Sequence, residues 1–176
     1  QGYPASVQEA AGPLLKSLDV DTARQKARLT ELEPVLSGGD APRGREVFFG
    51  KKAACAACHT VQGEGGRVGP DLSRIGSVRT PHDLLEAVVF PSASFARGYE
   101  PYTITTKNGR FYTGIIAREN AEAIDLVTGD RAEVWLPRSA IDTIDRGQVS
   151  IMPQGFDALL SRQELADVLA FLQSRR

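Results

Sequence analysis

Sulfur, imidazole and indole are scarce in this chain. Its 176 residues include two cysteines, two histidines, one methionine and one tryptophan. Two histidines, one of them beside a cysteine, supply little for general acid–base catalysis. The sequence also offers no Ser/His/Asp set, no phosphate-cradling glycine loop and no spare cluster of metal ligands. Neither sign of charge is in excess. Against 21 Lys and Arg stand 22 Asp and Glu, for a net charge of −1 and a pI of about 6.2. That balance argues against nucleic acid or an anionic membrane surface as partner. No apolar run approaches the roughly 18 residues of a bilayer-spanning helix. No signal peptide is visible, and the first residue is Gln1 rather than methionine, as expected of a processed product or a piece of a longer multidomain chain. What is present, 41% hydrophobic and 24% charged, suffices for one or two small domains with a real core.

The cysteines fall together, in Cys55-Ala56-Ala57-Cys58-His59. Two thiols, two spacers and an adjacent imidazole form the attachment pattern of a c-type haem. Each thiol can add across a haem vinyl group to form a thioether, and the histidine is then held against one face of the iron. Three other readings compete. A thioredoxin-like dithiol needs a preceding strand in a βαβ context, whereas Gly44 to Gly50 reads as helix. A zinc site would have to use Cys55, Cys58, His59 and His82, and zinc seldom takes adjacent residues as ligands. A disulfide would close too small a loop to stabilise a chain that can build its own core. Haem is the favoured reading, with zinc and redox chemistry as the alternatives. Thioether formation also implies a periplasmic or otherwise extracytoplasmic address.

Along the chain, residues 1–36 read as two helical pieces interrupted at Pro13 and at Asp19-Val20-Asp21-Thr22. Leu14, Leu15 and Leu18 share one face; Leu29, Leu32, Val35 and Leu36 share another. Ser37-Gly38-Gly39 ends this extension. Asp40 is a good N-cap, with Pro42 in the first turn, and the helix it starts carries Gly44, Val47 and Phe48 toward Cys55. The glycines at 63, 65, 66 and 69 make a loop ending in Gly69-Pro70-Asp71-Leu72. Thr80-Pro81-His82-Asp83 begins another helix with the makings of a capping box, which Pro91 stops; His82 falls in its polar first turn. Over residues 98–146 the period changes to two. Tyr102, Ile104 and Thr106 alternate up to Asn108-Gly109, a strong hairpin signal, and four or five short antiparallel strands in a meander are expected. Met152 follows in Ser150-Ile151-Met152-Pro153. Ser161-Arg162-Gln163-Glu164 caps a last helix whose stripe is Leu165, Val168, Leu169 and Leu172.

A glycine four residues before an aromatic, then Cys-x-x-Cys-His, then Gly-Pro-Asp-Leu: this order resembles a class I cytochrome c. Along about residues 40–176 the chain also resembles the haem-binding domain type common in planctomycete-like bacteria, with β structure inserted before the methionine loop. The resemblance implies one covalently attached haem c, bound through Cys55 and Cys58, with iron held by His59 and Met152. It implies that the Pro70 carbonyl accepts a hydrogen bond from the His59 imidazole, fixing its tautomer. It implies contact between the Gly44–Phe48 stretch and the Leu169–Leu172 region of the last helix. The fold expected is mainly α: a class I cytochrome c helical core over 40–176, an inserted β meander over 98–146, and an N-terminal helical extension over 1–39.

A six-coordinate iron with a neutral thioether ligand has a comparatively high potential and no open position. The expected function is therefore single-electron transfer between protein redox partners, a dehydrogenase donor and a respiratory acceptor, and not catalysis. Lys51, Lys52, Arg43 and Arg45 are candidates for a docking rim; Arg67, Arg74, Arg79 and Trp135 are candidate propionate contacts. A haem enzyme or gas sensor with a displaceable Met152, and a β-insert binding module anchored by haem, are the competing functions.

Overall fold

A side-chain hydrogen bond at its first turn starts each of the three longest helices beyond residue 35. The computed structural model describes residues 22–176, and the chain divides into two compact units, residues 1–34 and 35–176. In the first unit α1 covers residues 22–32, with Leu29 and Leu32 buried. The expected face of Leu14, Leu15 and Leu18, and the break at Pro13, lie outside the described residues. A 3-10 turn, Glu33–Leu36, follows.

In the second unit, α2 (Ala41–Phe49) starts where Asp40 accepts the Arg43 N–H at 2.9 Å. That bond satisfies one of the donors a helix start leaves orphaned. Later in the chain come the single turn α3 (Ile75–Val78) and α4 (Pro81–Val89), the latter closed by a reciprocal capping box between Thr80 and Asp83. It ends at Phe90, the residue before Pro91, where the helical conformation is disfavoured. The single turn α5 (Phe156–Leu159) and α6 (Arg162–Gln173) complete the helices, and Ser161 and Glu164 form the second capping box.

The contact between α2 and α6 sets the frame of the helical half. Gly44 is buried there, and a Cβ at its position would stand 1.9 Å from the main-chain carbonyl oxygen of Asp167. Only hydrogen fits, so the two backbones meet. One turn on, the Phe48 and Phe171 rings pack with centroids 5.4 Å apart. Around them Leu85, Leu165, Val168 and Leu169 are almost fully buried.

The other half is a sheet. After a minimal hairpin of β1 (Thr60–Val61) and β2 (Glu64–Gly65), five strands follow: β3 (Pro101–Thr106), β4 (Phe111–Glu119), β5 (Ala123–Thr128), β6 (Glu133–Pro137) and β7 (Ile141–Arg146). All neighbours are antiparallel, in the order β6-β5-β4-β3-β7. The first four form a meander; β7 returns across to pair with β3. The Asn108-Gly109 turn is not a two-residue one. Thr106 N–H bonds to the Arg110 carbonyl and only Gly109 has positive φ, the pattern of a longer loop closed by a left-handed residue. At the turn between β5 and β6 the left-handed residue is Arg131 rather than Gly129.

Register explains why the sheet is stable. Ile104 faces Tyr112 on one side and Ile144 on the other, Leu126 lies between Ile116 and Val134, and Ile124 pairs with Leu136. Period-two alternation places these residues on one face. Ile104, Ile124, Leu126 and Leu136 form a buried cluster of their own.

The expectation of a mainly α fold is therefore corrected. Of the described residues 38% are helical and 23% are strand, so the architecture is mixed. The reason is physical. Residues 101–146 carry β-branched and aromatic side chains at alternate positions and close a second hydrophobic cluster, so they form a substantial antiparallel sheet rather than a decoration on helices.

Candidate functional site

The site is built by the segment between α2 and β1. After Gly50 the chain turns, Ala54 takes a left-handed conformation (φ 50°), and Cys55–Ala57 winds one 3-10 turn. The N–H groups of Cys58 and His59 both bond to the Cys55 carbonyl, at 3.2 and 3.0 Å. This single turn keeps both thiols and the imidazole on one short piece of chain. The segment before it is helix α2 and not a strand, so the context of a redox dithiol is missing. Both thiols are free, and burial pushes that of Cys55 up to about 11, which keeps it protonated at neutral pH.

The loop back across this turn fixes the imidazole. Gly69 donates its N–H to the Cys58 carbonyl, and its Cα lies so close to the His59 ring that a Cβ there would come within 2.6 Å of Cε1. The His59 Nδ1 is 2.9 Å from the Pro70 carbonyl oxygen. A carbonyl can only accept, so Nδ1 carries the proton and Nε2 keeps its lone pair in the neutral ring. Burial lowers the His59 pKa, partly offset by that hydrogen bond, and the ring is held neutral.

His59, Cys55 and Met152 line one pocket. The rest of its wall is apolar: Phe48 from α2, Leu72 from the loop, Val88 from α4, Phe156 from α5, Leu160, and Val168 and Leu172 from α6. Met152 arrives from nearly a hundred residues away, on an irregular segment between β7 and α5. Cys58 is on the same turn as Cys55 but does not line the pocket. One imidazole nitrogen and one soft thioether, set in a greasy wall, are the donor chemistry that suits a haem iron, and the thiol beside them can add across a haem vinyl group. The fit to zinc is poor. Among the described residues no group of three or more His, Cys, Asp or Glu side chains is arranged to hold a metal ion, and His82 is exposed in the first turn of α4.

The comparison with protein families agrees with this geometry. The family model of cytochrome c matches residues 41–127. Over that stretch the sequence is similar to cytochrome c. No curated protein matches the chain closely enough to add a relative. A cytochrome c domain binds covalently attached haem c with its iron, and proteins of that family are haem-binding electron carriers with redox proteins as partners. Domains of this type are typically extracytoplasmic, and no described helix is long and apolar enough to cross a membrane. The matched stretch takes in Cys55, Cys58, His59 and Pro70 and stops within β5, short of Met152.

The candidate docking rim looks different in three dimensions. Arg43 is bonded to Asp167, Arg45 to Glu64 at 2.7 Å and Lys52 to Glu164 at 2.6 Å. Three of the four cations are thus neutralised within the chain, leaving Lys51. None of Arg67, Arg74, Arg79 and Trp135 lines the pocket. Trp135 is 65% exposed on β6. It borders a shallow concavity of about 530 Å³ formed with Arg118, Asn120 and Asp125, which contains none of the site residues. Sequence reasoning missed Phe156 and Leu160 of the apolar wall, because neither carries a motif.

Proposed function

We propose that this chain is a monohaem c-type cytochrome that carries single electrons. Cys55 and Cys58 form the thioethers, and His59 and Met152 are the axial ligands. The observation that carries the reading is the shared pocket: the imidazole with its free Nε2 and the chain's one thioether open into the same apolar space. When bound there, haem c supplies a metal that changes charge by one electron. The chain's own residues do the rest. Pro70 fixes the His59 tautomer and makes its free nitrogen more basic. Phe48, Val88, Leu160 and Val168 exclude water, so little solvent has to reorganise around the change of charge. A soft neutral thioether favours ferrous over ferric iron.

In this reading residues 1–39 are a helical extension, 40–176 the cytochrome domain and 98–146 a sheet inserted before the methionine loop, as in the planctomycete-type domain. The protein acts in the periplasm or another extracytoplasmic space, between a dehydrogenase donor and a respiratory acceptor, alone or as part of a larger chain. It is not itself an enzyme. A redox titration of the purified holoprotein, followed by visible absorption, tests this. A single one-electron transition is expected, together with ferrous protein that does not take up carbon monoxide. Ready uptake of carbon monoxide by the unaltered protein would instead mean an open or displaceable sixth position, as in a haem enzyme or gas sensor.

A further inference from the structure

Met152 sits on a segment with no regular structure, residues 147–155, between the end of β7 and the start of α5. An irregular segment of that length has many alternatives to the conformation that puts its side chain in the pocket. Something outside the segment has to select one. The polar contacts at its two flanks converge on a single hydroxyl. The Ser92 Oγ accepts the Ser150 N–H at 3.0 Å and the Gln154 side-chain N–H at 3.3 Å. Ser150 in turn uses its own Oγ to accept the Met152 N–H at 3.1 Å. The two residues held are two before and two after the methionine. Ser92 follows Pro91 at the end of α4, the helix whose Val88 lines the same pocket. At the base of the segment, the Gly147 N–H bonds to the Pro101 carbonyl at 2.8 Å.

We propose that Ser92 is a positioning residue for Met152: its hydroxyl clamps both flanks of the loop and so keeps the thioether in the pocket it shares with His59. The inference rests on the assignment of Met152 as an iron ligand and deepens it. A neutral thioether competes for its position with any small ligand that can enter. The competition is decided by how much free energy favours the loop conformation that presents it. Two hydrogen bonds to one hydroxyl are a sizeable part of that preference, and removing them should multiply the population of the open loop about tenfold.

The test uses holoprotein in which Ser92→Ala, Ser92→Thr and Gln154→Ala are compared with the parent. The readouts are the near-red sulfur-to-iron absorption of ferric protein and the carbon monoxide affinity of ferrous protein. The parent should show the band and resist carbon monoxide. Ser92→Ala should weaken the band and raise carbon monoxide affinity about tenfold. Ser92→Thr keeps the hydroxyl and should restore parental behaviour, which a loss of packing alone does not predict. Gln154→Ala removes only the exposed half of the clamp and should raise affinity about threefold; it is a surface change that keeps the inference testable if Ser92→Ala does not accumulate. If the parent has the band and the Ser92→Ala and Gln154→Ala proteins match it in both readouts, Ser92 does not position Met152 and this inference alone is overturned. A parent without the band overturns the ligand assignment, and the inference with it.

Discussion

Arg43 on α2 holds Asp167 on α6 through two parallel hydrogen bonds, Nε to Oδ2 at 2.8 Å and a terminal nitrogen to Oδ1 at 2.9 Å. The Asp167 side chain is 4% exposed and also accepts from the Asp40 N–H and from Gln163, both at 2.8 Å. Four donors on one carboxylate tie the start of α2 to the helix that walls the pocket of His59 and Met152.

Those donors hold the Asp167 carboxyl at about 2, below its ordinary 3.8, the Arg43 guanidinium contributing most. A carboxylate depressed by folding stabilises the native state fully above its unfolded pKa. That contribution disappears as pH falls through the folded value. About 1–2 kcal/mol should therefore be lost between roughly pH 4 and pH 2, the lower figure allowing for water around the half-exposed Arg43. Urea unfolding of parent and Asp167→Asn at pH 7, 4 and 2.5 checks it. The stability difference between them should shrink on acidification; a constant difference contradicts the assignment.

Gly44 is the second anchor of the same contact. A methyl group there would run into the Asp167 carbonyl, a backbone atom that cannot rotate away. Gly44→Ala should cost about 2–3 kcal/mol by overpacking, lowering the melting temperature by about 4–10 °C. Thermal unfolding followed by circular dichroism reads it. An unchanged melting temperature would mean the helices do not approach as closely as described.

How much of this was legible in the sequence varies by the range of the physics involved. Asp40, Thr80 and Ser161 mark helix starts because capping is a contact over three residues. The Cys55–His59 pattern and Asn108-Gly109 are equally local. The weight of the sheet was underestimated because alternation shows that strands exist but not that Ile104, Ile124, Leu126 and Leu136 close a separate cluster. That β7 crosses back to β3 depends on pairing between segments some forty residues apart. Ser92 carried no signal at all: a lone serine after a proline acquires its meaning only from a loop 58 residues later. The ion pairs of Arg43 and Lys52 were out of reach for the same reason, since their carboxylates lie more than a hundred residues away.

That neutralisation has a kinetic consequence. With Arg43, Arg45 and Lys52 each paired in the chain, the turn bearing Cys55 and Cys58 presents little net charge for steering. Electron exchange with small anionic and small cationic redox reagents should depend only weakly on salt. Rates should change less than about threefold between low and physiological ionic strength, against the much larger changes of a strongly charged docking site. Stopped-flow kinetics with both reagent types decides. A steep fall of the anionic rate with salt would point to a cationic face after all.

Covalent attachment predicts a simple chemical outcome. The parent should keep its colour through denaturing electrophoresis and acid–acetone extraction, because thioethers survive both. Exchanging Cys55 and Cys58 together for alanine should leave colourless polypeptide after extraction, while each single exchange should retain one linkage and shift the absorption maximum of the reduced alkaline pyridine complex. Haem that remains attached in the double variant would mean the thiols are not the points of attachment.

The central claim is that the lone methionine and the motif histidine hold the metal between them. The near-red absorption of ferric holoprotein, compared between parent and Met152→Ala, tests it most directly. The account predicts a weak sulfur-to-iron band in the parent that vanishes in the variant, with carbon monoxide binding newly acquired. A band that persists in the variant, or is missing from the parent, contradicts it.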